Sequence, residues 1–168
     1  TAAAALVGCG PKPETEPPAD EPVTAGATAA NPGAADGTTG EVVTIQTPEG
    51  EAEAFFVTPT EGKHPAVLMW PDVAGLRDAF RTMAARLAGQ GYAVLAVNLY
   101  YRSSPMPVLE HFDEWRTDEG RAKIAPMAEA LSAEGIRSDA EAFIAWLDQQ
   151  ERVDAGRKVG TLGYCMSG

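Results

Sequence analysis

The chain has 168 residues, of which 45% are hydrophobic, so it has room for one domain of ordinary size with its own core. Its 24 acidic residues outnumber its 13 basic residues and give a formal net charge of -11 at pH 7. Proteins that bind nucleic acid or an anionic membrane surface normally present a stripe of Lys and Arg. No such stripe is visible here, so we expect neither partner.

The opening of the chain resembles the end of a bacterial lipoprotein signal peptide. Residues 1–9 are rich in alanine and end in Leu-Val-Gly-Cys, which matches a lipobox with Cys9 as the lipidated residue. A cysteine that carries several acyl chains anchors a protein stably, whereas one chain alone does not. The resemblance implies an exported lipoprotein, attached through Cys9 to a membrane of the cell envelope. The alternative is an ordinary cleaved signal and a secreted or periplasmic product.

The composition changes twice along the chain. Residues 10–40 are crowded with Pro, Ala, Gly, Thr and acidic residues and contain almost no large apolar side chains. Such a stretch cannot bury enough apolar surface to offset its ordering entropy, so we predict a flexible linker. Residues 41–168 have the composition of a globular domain, which we expect to be monomeric when the protein is complete. No apolar run in this domain reaches the ~18 residues that a membrane span requires.

The hydrophobic pattern predicts an α/β domain. Alternating segments predict a hairpin, and continuous apolar runs predict strands that are buried on both faces. The strands are predicted at 41–46, 52–57, 65–70, 92–97 and 159–164. The helices are predicted at 77–89, 124–131 and 138–148, the last one capped by Ser138 with Glu141 three residues on. This order predicts an α/β-hydrolase-type sheet, mostly parallel, with flanking helices and right-handed crossovers.

The segment after the last predicted strand carries the chemistry. Residues 163–168 read Gly-Tyr-Cys-Met-Ser-Gly, and we interpret them as the G-x-C-x-G pattern of a nucleophile elbow. In such an elbow the central side chain is exposed on a sharp turn between a strand and a helix. Glycines are required on either side, because a Cβ there would meet a neighbouring element. Cys165 is therefore the candidate nucleophile, and a buried structural cysteine is the alternative.

Four segments together resemble one known family. In chain order they are Trp-Pro-Asp-Val-Ala-Gly at 70–75, Ala-Gly-Gln-Gly-Tyr-Ala-Val at 88–94, Asn-Leu-Tyr-Tyr-Arg at 98–102 and the elbow at 163–168. Residues 41–168 thus resemble the first half of the domain of dienelactone hydrolases, within the α/β-hydrolase superfamily. The resemblance implies a hydrolase of carboxylic esters or lactones, which are small-molecule substrates. Nothing in the sequence points to a metal, nucleotide or flavin, so we expect no cofactor. It also implies that this chain is an N-terminal fragment, which we expect to be inactive and poorly folded alone.

The resemblance implies roles for the matching residues around the nucleophile. The backbone N–H groups of Val73 and Met166 would form the oxyanion hole for an attack by Cys165. Asp72 falls where the namesake enzyme has a glutamate beside the resting thiol, and its side chain is one methylene shorter. The acid and the histidine of the triad should follow the nucleophile in the chain, and so lie beyond residue 168.

Further residues are candidates for substrate binding or for the base. Arg102 matches an arginine that contacts the substrate carboxylate in the namesake enzyme, and a surface ion pair is its alternative role. Tyr101 and Tyr100 are candidates to line the pocket, or they pack under the long loop after the fourth strand. His64 and His111 precede Cys165 in the chain, and we interpret them as exposed loop histidines.

Two other functions remain open at this point. A redox or peroxidatic thiol would need a resolving cysteine nearby, and the residues after Cys165 contain none. An anchored binding lipoprotein on a hydrolase scaffold would lack the acid and the histidine downstream of the nucleophile. The residues that follow the elbow in the complete protein would decide between that function and a hydrolase.

Overall fold

The computed structural model describes residues 37–168. The strands are β1 (Thr38–Thr47), β2 (Gly50–Pro59), β3 (Ala66–Trp70), β4 (Ala93–Val97) and β5 (Gly160–Gly163). The α-helices are α1 (Asp78–Ala88), between β3 and β4, and α2 (Asp118–Glu129) and α3 (Ala133–Leu147), between β4 and β5. Two short 3-10 helices complete the described elements, at Phe112–Arg116 and Cys165–Ser167.

The five strands form one sheet in the order β1-β2-β4-β3-β5. The β1–β2 and β2–β4 pairs are antiparallel, whereas β3 pairs in parallel with both β4 and β5. This architecture confirms the predicted α/β-hydrolase-type fold. Because β3, β4 and β5 run in the same direction, their carboxyl ends meet at one end of the sheet, where open α/β sheets place their sites.

Two hydrophobic cores cover the two faces of the sheet. Side chains alternate between the faces of a strand, so neighbouring residues of one strand enter different cores. Phe56 and Leu95 belong to the core under α2 and α3, where the Phe56 ring meets Trp146 edge-on at 5.1 Å. Val57 and Val94 belong to the core under α1. The sheet thereby forms a rigid platform between two layers of helices.

Two helices begin earlier than the sequence predicted. α3 begins at Ala133, because the Ser132 hydroxyl accepts the N–H of Gly135 at 3.0 Å and so caps the helix. The predicted cap at Ser138 is wrong, since Ser138 lies inside the helix. α2 likewise begins at Asp118, ahead of its apolar stretch. Acidic side chains in its first turn favour a helix start but carry no hydrophobic signal.

The predictions for the start of the chain are only partly covered by the structure. β1 begins at Thr38, three residues before the start that the sequence predicted for the domain at Glu41. The lipidation prediction at Cys9 and most of the linker prediction concern residues 1–36, which lie outside the described residues. Of the described helices, none is both long enough and apolar enough to cross a membrane.

Candidate active site

Cys165 lies on a strained, exposed turn at the carboxyl end of β5. Its φ is 59°, and it is the one non-glycine residue among 37–168 with a positive φ. Left-handed conformations are uncommon for such residues and cluster at functional sites. Among the described residues Cys165 is exposed. The preceding residue, Tyr164, anchors the turn to α1, because its ring packs against the ring of Phe80 with the two ring centroids 5.4 Å apart.

The sequence pattern of the elbow needs one correction. Gly163 is required as predicted, because a Cβ there would lie 1.8 Å from the carbonyl oxygen of Ser167. The glycine expected two residues after Cys165 is absent, since position 167 is serine and the next glycine is Gly168. Serine is accommodated at position 167 because its hydroxyl makes hydrogen bonds to backbone carbonyls at the end of β3.

Ser167 joins the elbow to the neighbouring strand. Its Oγ lies 2.9 Å from the carbonyl oxygen of Trp70 and 2.7 Å from that of Pro71. The same oxygen accepts the backbone N–H of Tyr164 at 3.1 Å. One hydroxyl proton serves these carbonyls, and the elbow is thereby held against the segment that leads into the β3–α1 loop.

The β3–α1 loop presents a backbone N–H at Val73. The Gly75 N–H donates to the carbonyl of Asp72 at 2.9 Å and closes a tight turn, in which Gly75 has a φ of 80°. This hydrogen bond orients the peptide unit whose N–H belongs to Val73. Within residues 37–168, the N–H groups of Val73 and Met166 donate to no protein acceptor. These two N–H groups lie on the two segments that Ser167 joins.

Asp72 stabilises this loop through its carboxylate. One oxygen accepts the N–H of Ala74 at 3.0 Å, and Arg77 donates to both oxygens at 2.8 and 3.0 Å. Arg77 is itself buried, binds the carbonyl of Gly75 and stacks over the ring of Phe80. Among the described residues Asp72 makes no hydrogen bond to the thiol, so its contacts hold the loop in shape.

Tyr100 lies between the loop and the elbow. Its hydroxyl donates to the carbonyl of Val73 at 2.9 Å and lies 3.9 Å from the sulfur of Met166. Burial raises the pKa of Tyr100 to about 12, and the negative charges of Asp72 and Cys165 contribute in the same direction. The phenol therefore stays protonated and remains a donor over the range in which hydrolases work.

The raised pKa of Tyr100 predicts a late step in an alkaline titration. The folded pKa of Tyr100, about 12, exceeds the ordinary value of 10.0. The protonated phenol therefore contributes fully to the stability of the fold below pH 10, and this contribution is lost as the pH rises towards 12. A rapid pH jump followed by tyrosinate absorbance should show one step near pH 12 that Tyr100→Phe removes. Loss of a step near pH 10 instead would contradict the burial of this phenol.

The sequence profile of the dienelactone hydrolase family matches residues 52–168. The chain belongs to this family. A carboxymethylenebutenolidase of Pseudomonas putida is 28% identical over 129 residues, which are 76% of this chain and 52% of the relative. A Synechocystis sp. protein that carries the same enzyme name provisionally is 28% identical over 128 residues, 76% of this chain and 50% of its own. The chain thus spans about half the length of the curated relatives it matches.

A solved structure agrees with the fold of this dienelactone hydrolase family member. A Klebsiella pneumoniae subsp. pneumoniae protein, provisionally named a dienelactone hydrolase, superposes with a TM-score of 0.62 at 18% identity. The superposition covers 77% of this chain and 51% of that one. At this identity the likeness shows the fold alone.

The arginine that the family resemblance singled out is bound to carboxylates of the chain itself. Arg102 donates to both oxygens of Asp139 at 2.8 and 2.9 Å and also forms an ion pair with Glu49. It stacks over the ring of Tyr101 at 4.5 Å, and the Tyr101 hydroxyl bonds Thr47 and Asp139. Burial lowers the pKa of Arg102, but the hydrogen bonds that it donates to Asp139 and Glu49 outweigh this and raise the pKa above its usual value.

We call Thr47, Glu49, Tyr101, Arg102 and Asp139 the Arg102 cluster, and within residues 37–168 no hydrogen bond or ion pair joins it to the elbow. The cluster gathers at the turn between β1 and β2, at the sheet edge opposite β5. β1 and β5 are four strand spacings apart in the sheet, or about 19 Å. The arrangement matches the ion-pair role that the sequence left open for Arg102, although the pair is more buried than a surface pair.

Removing the arginine of this cluster should destabilise the protein. Arg102→Leu leaves the carboxylate of Asp139, which is 6% exposed, without its main partner. We expect the free energy of unfolding to fall by about 2 kcal/mol, less than for a fully buried pair because Arg102 is partly exposed. Arg116→Leu is the control in urea unfolding, since its pair with Asp113 is open to solvent and should contribute nothing measurable. Equal effects of the two substitutions would contradict this role.

Among residues 37–168, neither histidine makes a hydrogen bond to Cys165. His64 is at the amino end of β3, the end opposite to Cys165, and its ring nitrogens lie 3.1 Å from the Gly91 carbonyl and 2.7 Å from the Glu61 carbonyl. It is half-buried, whereas the sequence predicted an exposed side chain. His111 is exposed and precedes the first 3-10 helix. Among residues 37–168, no three His, Cys, Asp or Glu side chains could together hold a metal ion.

Proposed function

We propose that the protein containing this chain hydrolyses carboxylic esters or lactones with Cys165 as its nucleophile. One observation carries the proposal: an exposed thiol at a φ of 59° lies beside two segments with free backbone N–H groups. That arrangement serves covalent catalysis on a carbonyl and has no evident use in a merely structural turn. Membership of the dienelactone hydrolase family supports the same class of reaction.

The proposed chemistry proceeds through an acyl-enzyme. The thiolate of Cys165 adds to the carbonyl carbon, and the carbonyl oxygen takes up the electron pair as an oxyanion. The N–H groups of Val73 and Met166 hold that oxyanion, and losing one such donor costs about 3 kcal/mol in studied enzymes. Collapse of the intermediate expels the alkoxide, which takes a proton, and leaves a thioester on Cys165. Water then adds to the thioester and releases the acid and the thiol.

The proton transfers are assigned to no residue between 37 and 168. In α/β-hydrolases the acid and the histidine follow the nucleophile in chain order. Neither His64 nor His111 meets that requirement, because both precede Cys165. The residues described here thus contribute the nucleophile, the oxyanion donors and the groups that hold them.

The names of the relatives support a lactone or an ester as the small-molecule substrate. In the namesake enzyme an arginine contacts the substrate carboxylate, and Arg102 matches it in the sequence. Here the guanidinium of Arg102 is already paired with the carboxylates of Asp139 and Glu49. We therefore propose that Arg102 stabilises the fold and that substrate recognition depends on other groups of the complete protein.

Trapping the acyl-enzyme tests the proposal directly. The complete protein is mixed with p-nitrophenyl acetate, quenched in acid during turnover and digested for mass spectrometry. We expect one acetyl group, on the peptide that contains Cys165, together with a burst of p-nitrophenol. Turnover with no acyl group on Cys165 would refute the nucleophile assignment.

We also propose that Cys9 carries a lipid anchor, because residues 6–9 match a lipobox. Expression of the complete gene product in bacteria fed with radiolabelled palmitate should label the protein. Cys9→Ser should abolish the labelling and release the protein from the membrane fraction. An unlabelled wild-type protein would favour the ordinary cleaved signal.

A further inference from the structure

We propose that Tyr100 is a positioning residue which holds both donors of the oxyanion hole in place. This inference rests on the proposed hydrolase function and extends it to a side chain with no assigned role. Val73 and Met166 carry the two donors, on segments that lie 93 residues apart in the sequence. Tyr100 contacts the residues of both donors through one hydroxyl group.

The contacts of the phenol reach each half of the hole. Its O–H donates to the carbonyl of Val73 at 2.9 Å, which fixes the peptide that follows the first donor. The same oxygen lies 3.9 Å from the sulfur of Met166, whose backbone carries the second donor. The phenol has one proton, which the buried hydrogen bond to Val73 uses, so the Met166 sulfur is held by weaker packing contact with the phenol oxygen.

Tyr100 is itself held rigidly, as a positioning residue must be. Its side chain is 1% exposed, and its backbone N–H donates to the Asn98 side chain at 3.0 Å. The Asn98 amide in turn donates to the carbonyl of Ser104. The ring packs against the tight turn of the β3–α1 loop, where a Cβ on Gly75 would lie 3.4 Å from ring carbon Cδ2. These contacts direct the phenol towards the β3–α1 loop.

Removing the hydroxyl should affect the transition state more than the ground state. Without its donor, the buried Val73 carbonyl loses a partner and the turn can shift by a few tenths of an ångström. An oxyanion hole depends on such distances, because it stabilises charge that develops only as the carbonyl is attacked. We expect Tyr100→Phe to lower kcat about 10-fold and to leave KM within about twofold of wild type.

A transition-state analogue provides the readout that a purely structural role would not change. The Cys165 thiolate adds to the carbonyl of an aryl trifluoromethyl ketone, and the ketone oxygen becomes an anion in the oxyanion hole. In Tyr100→Phe the inhibition constant of this ketone should rise about 10-fold, in parallel with the fall in kcat/KM. Tyr92→Phe is the control, because this tyrosine lies at the amino end of β4, is 37% exposed and should change neither quantity.

The outcomes separate this inference from the function on which it rests. Ester hydrolysis that survives Cys165→Ala would refute the proposed function and the inference together. Hydrolysis that depends on Cys165, with wild-type kcat and ketone affinity in Tyr100→Phe, would overturn the inference alone. A fall in melting temperature without a change in ketone affinity would also overturn it. If Tyr100→Phe does not fold, Met166→Leu removes the weaker contact at an exposed side chain, and we expect a parallel change of about twofold.

Discussion

Replacing Cys165 with glycine should abolish ester hydrolysis and, at the same time, stabilise the protein. The residue has a φ of 59°, and a side chain in that region costs about 1–2 kcal/mol. Glycine adopts it without a steric penalty, and the exposed thiol contributes little burial that could be lost. We expect kcat/KM to fall at least about 1000-fold and the melting temperature to rise by about 2–4 °C.

The matched control is Cys165→Ala. It removes the same sulfur but keeps a Cβ at the strained position, so hydrolysis should be lost without the gain in stability. Both variants are compared with wild type by calorimetry and by p-nitrophenyl ester kinetics on the complete protein. Equal melting temperatures for the glycine and alanine variants would show that the strain is not stored at this residue. Residual hydrolysis near the wild-type rate would remove Cys165 from the mechanism.

Placing a methyl group on Gly163 should disrupt the elbow. The new Cβ would lie 1.8 Å from the Ser167 carbonyl oxygen and 2.7 Å from the Cα of Gly168. Both are backbone atoms that cannot move without opening the turn around Cys165. We expect Gly163→Ala to lower the free energy of unfolding by about 3 kcal/mol and kcat/KM by at least about 100-fold.

β5 itself offers the control for this substitution. Gly160 is in the same strand, and a Cβ there would meet Val67 Cγ2 at 3.6 Å, an ordinary van der Waals contact. Gly160→Ala should therefore leave both unfolding and hydrolysis close to wild type. Urea unfolding and ester kinetics of the two variants, measured side by side, separate a general intolerance of β5 from a specific need at Gly163. Similar effects at both positions would contradict the steric argument.

Much of the fold could be predicted from the sequence because its signals are local. Continuous apolar runs at 65–70 and 92–97 indicated strands buried on both faces, and β3 and β4 form there. The helix at 77–89 was likewise indicated by its apolar spacing. The early starts of α2 and α3 were missed because caps and acidic first turns carry no hydrophobic period, so they leave no mark in such a pattern.

In the candidate site, too, the features that depend on local interactions could be predicted from the sequence, and those that depend on distant residues could not. The tight turn at Cys165 and the need for glycine at Gly163 follow from residues within a few positions of one another. The hydroxyl of Ser167 finds its partners at Trp70 and Pro71, nearly one hundred positions earlier in the chain. No pattern in the chain indicates that a serine can stand where the elbow was expected to need glycine.

What the sequence alone established is the order of the elements and the family, and it led to the proposal that Cys165 is the nucleophile. Only the tertiary structure decided which of the two neighbouring tyrosines contacts the candidate site. Tyr100 donates a hydrogen bond to Val73, whereas Tyr101 belongs to the Arg102 cluster. The physical reason is that the side chains of these consecutive residues after β4 point in different directions. The Tyr100 side chain contacts the β3–α1 loop, and the Tyr101 side chain contacts the β1–β2 turn. Their partners come from strands paired through the sheet, and such pairing brings together residues that sequence order keeps far apart.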